Sequence, residues 1–155
     1  MRIVAYVGND PRRFAELMDL FLKGEYRVTQ RAAWPISYCV QYYPELVRPW
    51  YAQLFSKLTE PGTHDAVARN ILRLLQFVEI PKRFQGKAMT ICFDHITNVE
   101  SAPAIKACAL SILQQLARHY PEIGPELKLI IEEQWDQESP AFRSRARKLL
   151  KTLKI

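Results

Sequence analysis

The segment SAPAIKACALSILQQLARHYPEIG, residues 101–124, holds a complete helix and the junction that follows it. Ile105, Cys108, Ala109, Ile112, Leu113, Leu116 and Tyr120 recur at steps of three and four, which is one face of a 3.6-residue turn. Lys106, Gln114 and Arg118 fall away from that stripe. Ser101 is a candidate N-cap, and Pro103 suits the first turn, where a missing N–H breaks no helical hydrogen bond.

Outward from this segment the pattern repeats. Residues 63–78 carry Val67, Ile71, Leu74, Leu75 and Val78 on one stripe, with Asp65, Arg69 and Arg73 on the wet side and Thr63 as candidate cap. Helices are predicted near 11–23, 27–42, 46–58, 63–78, 82–96, 102–119, 124–136 and 140–153. Asp10-Pro11 and Ser139-Pro140 are cap-plus-proline starts, and Gly24, Gly62 and Gly124 fall at junctions. With five glycines and no Asn-Gly or Asp-Gly hairpin signal, the class is all-α. Pro35 should kink the second helix, and Gly86 should weaken the fifth by about 1 kcal/mol relative to alanine.

The helices are copies of one unit. Tyr43-Pro44-Glu45-Leu46 recurs as Tyr120-Pro121-Glu122-Ile123, and Ile80-Pro81 occupies the junction between them. A second marker keeps the same period of about 38 residues: Arg31, Arg69, Lys106 and Arg145 each sit a few residues inside a helix. Asp10-Pro11-Arg12-Arg13-Phe14 also matches Ile80-Pro81-Lys82-Arg83-Phe84 nearly two periods on. A helix pair of this length cannot bury its apolar face alone, so the pairs must stack.

On these residues the chain resembles the HEAT repeat family of armadillo-type helical repeats. The matching segments are Arg31-Ala32-Ala33, Lys106-Ala107-Cys108-Ala109 and Arg145-Ala146-Arg147, with Arg69-Asn70 the poorest match. The resemblance implies a right-handed α-α superhelix (solenoid) of about four helix pairs in one domain over residues 1–155. Aligned by the 70-residue shift, Ile3 to Val7 matches the end of a first helix. Residues 1–8 are therefore expected to be its remnant, in a truncated chain or at a frayed end. Residues 139–155 would form a basic C-terminal cap. The chain is also similar to small bacterial HEAT-like proteins, some of which carry an adenylosuccinate lyase label. Lyases of that superfamily resemble much longer helical bundles with a serine-containing signature loop, which this sequence lacks, so that activity is not expected.

Composition narrows the function classes. The 155 residues suit one buried core, and 48% apolar with 25% charged residues is ordinary globular usage. Cys39, Cys92 and Cys108 have neither CxxC nor CxH spacing, so neither a disulfide framework nor a zinc site is signalled, and a cytoplasmic setting is expected. No run of about 20 apolar residues is present, so no membrane partner is expected. The net charge of +6 resides in residues 139–155, where Arg143, Arg145, Arg147, Lys148, Lys151 and Lys154 meet no acid. Glu122, Glu126, Glu132, Glu133, Asp136 and Glu138 precede them and are expected to neutralise them.

Two rows and one aromatic run are the candidate sites. Arg31, Arg69, Lys106 and Arg145 would track phosphates or, as the resemblance implies, hold neighbouring layers together. Arg12, Arg13, Arg48, Arg83, Lys87 and Lys128 belong to second helices, which line the concave face in the resembled family, and are the candidate partner-binding row. Trp34, Tyr38, Tyr42, Tyr43, Trp50, Tyr51 and Phe55 crowd one region, the first three at four-residue steps, a spacing for stacking bases or anchoring a peptide; core packing is the expectation for them. No phosphate-binding loop, dinucleotide motif, nucleophile elbow or HExxH is present, and His64, His95 and His119 have no ligand spacing. No catalytic, cofactor-binding or metal-ligating set is expected, and no cofactor. The reading is a scaffold that binds a protein or peptide. The alternative is a nucleic-acid-binding module akin to alkylpurine DNA glycosylases, for which Asp94 and Trp50 are available residue types without a matched motif.

Overall fold

The computed structural model describes residues 2–153. The described residues are all-α, with nine helices: α1 Arg2–Val7, α2 Pro11–Lys23, α3 Tyr26–Tyr42, α4 Tyr51–Thr59, α5 Asp65–Leu75, α6 Lys82–Thr97, α7 Pro103–Ala117, α8 Gly124–Gln134 and α9 Pro140–Leu153. Lys154, part of the expected basic cap, lies outside them. The chain divides into two compact units, Met1–Val78 and Glu79–Ile155.

Both units use the same register. In the first, the Tyr26 ring meets His64 at 4.7 Å, and Trp34 meets Arg73 at 4.4 Å. Contacts that advance together along both helices mean that α3 and α5 run parallel, offset by one repeat. In the second, Arg145 reaches Ala107 and Gln114 reaches Thr152, both 38 residues apart, so α7 and α9 are parallel with the same offset. Helix α6, which precedes α7, runs the other way: Tyr120, just past α7, donates its hydroxyl to Gln85 Oε1 near the start of α6 at 2.9 Å. Alternation of direction with period 38 is the sequence repeat made physical.

The YPE markers adopt one local structure. Tyr43 has φ −136°, ψ 75° and Tyr120 has φ −131°, ψ 70°, and each opens a 3-10 segment in which its carbonyl accepts from the residue three further on, Leu46 or Ile123, at 3.1 Å. The first of these segments is longer than expected. Residues 44–50 are 3-10 because Pro49 cannot donate a helical hydrogen bond, and α4 begins only at Tyr51. Likewise Trp135–Gln137 ends α8 as a 3-10 turn. Helix α3 continues through Pro35.

Caps divide into expected and corrected. Asp10 accepts from the amides of Arg12 (2.9 Å) and Arg13 (3.3 Å), and Ser139 from Phe142 (3.2 Å). Thr63, by contrast, donates to the carbonyls of Lys57 and Glu60, while His64 Nδ1 caps α5 through the Ala66 amide. Ser101 is one residue too early for α7, whose N-cap is Ala102, and bonds His95 instead. Gly24 is needed for space: a Cβ there would collide with the Leu20 carbonyl oxygen and crowd Val28 where α2 turns into α3. Phe14, Met18, Phe21, Ile36, Leu54, Phe55, Ile71 and Leu75 fill the first core; Leu110, Leu113, Leu116, Leu127, Phe142 and Leu149 are fully buried in the second.

Candidate functional site

The ladder residues meet two different fates. Lys106 lies on the inward arc of α7 and is 6% exposed, not on the wet side where its spacing placed it. Its Nζ pairs with Glu138 at 2.7 Å, and both side chains are almost fully enclosed. A buried charge is tolerated only with such a partner. Arg145 donates to Ser111 Oγ (2.6 Å) and to the Ala107 carbonyl (3.2 Å), tying α9 to α7. Arg31 is exposed, and Arg69 is half-buried with its Nε shielded from solvent and lacking a hydrogen-bond partner among the described residues.

Around Arg31 and Arg69, α3 and α5 build a solvent-facing strip. Trp34 is 54% exposed and Tyr42 68%, which corrects the core expectation for the aromatics of α3, while Tyr51 and Phe55 are buried as expected: Ala33, Ile36, Ser37 and Val40 take the buried arc of α3, leaving Arg27, Arg31, Trp34, Tyr38 and Tyr42 on the opposite one. Tyr38, half-buried, stacks on Trp34 with ring centroids 5.9 Å apart. From α5, Arg73 lays its guanidinium over Trp34 at 4.4 Å. The buried Asn70 positions it, donating to the Ala66 carbonyl (2.8 Å) and accepting from Arg73 Nη1 (3.0 Å). Phe77, just beyond α5, is 42% exposed. Glu25 ahead of α3 and Asp65 at the start of α5 are the carboxylates of these two segments, against Arg27, Arg31, Arg69 and Arg73.

Asn70, Arg73 and Phe77 escaped the sequence reading. Asn70 was legible only as the poorest match to the repeat, a polar group where the unit favours a small one.

The second-helix row is split between the units. Arg12, Arg13 and Arg48 are exposed in the first, Arg83 and Lys87 exposed and Lys128 half-buried in the second. Several are engaged locally. Arg13 donates to the Tyr6 carbonyl at 2.7 Å and covers the Tyr6 ring, Arg83 lies over Phe84, and Lys128 reaches Glu132 at 4.0 Å. On α9, Arg143 donates to the carbonyls of Trp135 and Asp136, and with Arg147 flanks the Trp135 ring, so part of the basic helix is held by carbonyls and a π face.

Burial controls the shifted thiols and phenol. Burial raises the Cys39 thiol, raises Cys92 further with Cys108 adding to the effect, and pushes the Tyr51 phenol up to about 12 against the pull of Arg48. Neutral buried thiols are poor nucleophiles. Ser101 and His95 Nδ1 stand 3.0 Å apart beside a cavity of about 210 Å³ that Lys106, Gln134 and Glu138 also line. No group of three or more His, Cys, Asp or Glu side chains suited to a metal occurs among the described residues, and no helix there is long and apolar enough to cross a membrane.

Parallel helices one period apart, joined by antiparallel ones, define a helical-repeat protein. The family comparison is specific: the HEAT repeat domain model matches residues 1–153, and the chain belongs to that family. No curated protein and no solved structure gives a significant match.

Proposed function

We propose that this HEAT repeat domain is a non-catalytic protein-interaction module and that the α3/α5 strip is where its partner docks. One observation carries the reading: Trp34, more than half exposed, is held in a fixed pose between Tyr38 and an Asn70-positioned Arg73. Trp, Tyr and Arg are the residues that dominate binding energy at protein interfaces, and ordering them beforehand lowers the entropic cost of association. Nothing in this arrangement requires a cofactor. The burial of all three cysteines accords with a cytoplasmic setting. The partner is a protein or peptide.

A photo-crosslinking amino acid at Tyr38, in cells making the full chain, tests this. A protease-sensitive adduct at Tyr38 that is absent with the same group at exposed Leu129 is the expected result. A nuclease-sensitive adduct, or equal yields at both positions, overturns it.

A further inference from the structure

We infer that the segment docking on α3/α5 is acidic at one end and apolar at the other, and lies lengthwise with its acidic end toward Arg27 and Arg31. This rests on the reading that a protein segment docks there, and adds its chemistry and direction.

Both helices change character in the same order. Along the exposed arc of α3 come Arg27, Arg31, Trp34, Tyr38 and Tyr42; along α5 come Arg69, Arg73 and then Phe77. Because α3 and α5 are parallel and in register, the two gradients coincide. Guanidinium groups crowd the first half, Trp34 with Arg73 marks the change, and the second half exposes Tyr42 and Phe77 without a cation on that arc. The half-buried Arg69 adds its charge to the cationic half.

Charge complementarity selects the occupant. Carboxylates over Arg27, Arg31 and Arg73 gain charge-assisted hydrogen bonds. Leu, Phe or Pro side chains over Tyr38, Tyr42 and Phe77 bury apolar surface. A nucleic-acid strand repeats its phosphate at every nucleotide and would lay charge across the uncompensated aromatic half. From Arg27 to Tyr42 the helix rises about 22 Å, room for about seven extended residues or four helical turns.

The test uses the full chain and fluorescent peptides of about twelve residues, a length that overspans the strip in extended form. One has an acidic half and an apolar half, one is its shuffled isomer with acids and apolar residues alternating, and one is wholly acidic; an oligothymidylate of matching length completes the set. The segregated peptide is expected to bind best, and Trp34→Ala and Arg31→Glu are each expected to weaken it about tenfold, Arg31→Glu without moving the unfolding midpoint. A benzophenone at its acidic end should crosslink near Arg27 and Arg31. Equal binding of segregated, shuffled and acidic peptides, crosslinks at Tyr42, or no peptide binding at all overturns this inference while leaving the docking reading to the Tyr38 adduct. Oligothymidylate binding more tightly than every peptide, with loss on Trp34→Ala, overturns both.

Discussion

The α3/α5 pair of the first unit and the α7/α9 pair of the second share a register, yet they treat the same ladder residue in opposite ways. Arg145 reaches back 34 residues to Ser111 and 38 to the Ala107 carbonyl. Arg69 lies 34 residues after Pro35, and the stretch Pro35-Ile36 has no hydroxyl to accept from it. Lys106 finds Glu138 32 residues ahead. Arg31, looking the same distance forward, meets Gly62-Thr63, with no carboxylate and with the Thr63 hydroxyl already donating to Lys57 and Glu60. The period places the basic residue, and the acceptor one layer away decides whether it turns inward as a tie or stays outward as a contact group.

The largest expected effect breaks the second unit's tie. Lys106→Met or Glu138→Gln leaves a buried charge or polar group without its partner and should cost about 3–5 kcal/mol in urea unfolding, whereas Arg31→Met should cost less than about 0.5 kcal/mol. Equal costs would erase the contrast. Next, Arg145→Met should cost about 1–3 kcal/mol by stranding its partners, with Arg69→Met well below that. Pro35→Ser sharpens the comparison from the other side. It restores a helical N–H and supplies a hydroxyl, so it should stabilise the first unit by about 1–3 kcal/mol, read as a higher urea midpoint.

The smallest effect is alkaline and differs between the units in the groups that carry it. Cys92 in the second unit and Tyr51 in the first both have folded pKa values raised by burial above unfolded values of 9.0 and 10.0. Each therefore contributes stability that is intact below its unfolded pKa and declines as pH rises. Loss in the second unit should begin near pH 9. In the first, Cys39 starts a smaller loss near the same pH and Tyr51 extends it from pH 10 to about 12. Single-tryptophan variants retaining Trp135 or Trp50 should report the two units separately; Cys92→Ala should remove the onset near pH 9 from the second, and Cys39→Ala should remove it from the first, leaving the Tyr51 loss above pH 10.

Much of the fold was legible because helix period and repeat period are both written locally. The stripe from Ile105 to Leu116, the Asp10 and Ser139 caps and the two YPE junctions need only neighbouring residues to be read, and each forms as expected. Thr63 and Ser101 are each a hydroxyl residue one position ahead of the N-cap, and the choice between capping and bonding elsewhere depends on what the turn brings near. The candidate site was legible only in part. Trp34 and Tyr38 stood out by spacing, but their exposure depended on which arc of α3 the neighbouring helices cover.

The sequence alone determined the class and the period, because these follow from spacing along one chain. Tertiary structure alone decided that Lys106 is buried and Arg31 is not, and that Asn70 aims Arg73 at Trp34. Those outcomes depend on acceptors and rings contributed from a layer away, at distances that no local pattern encodes.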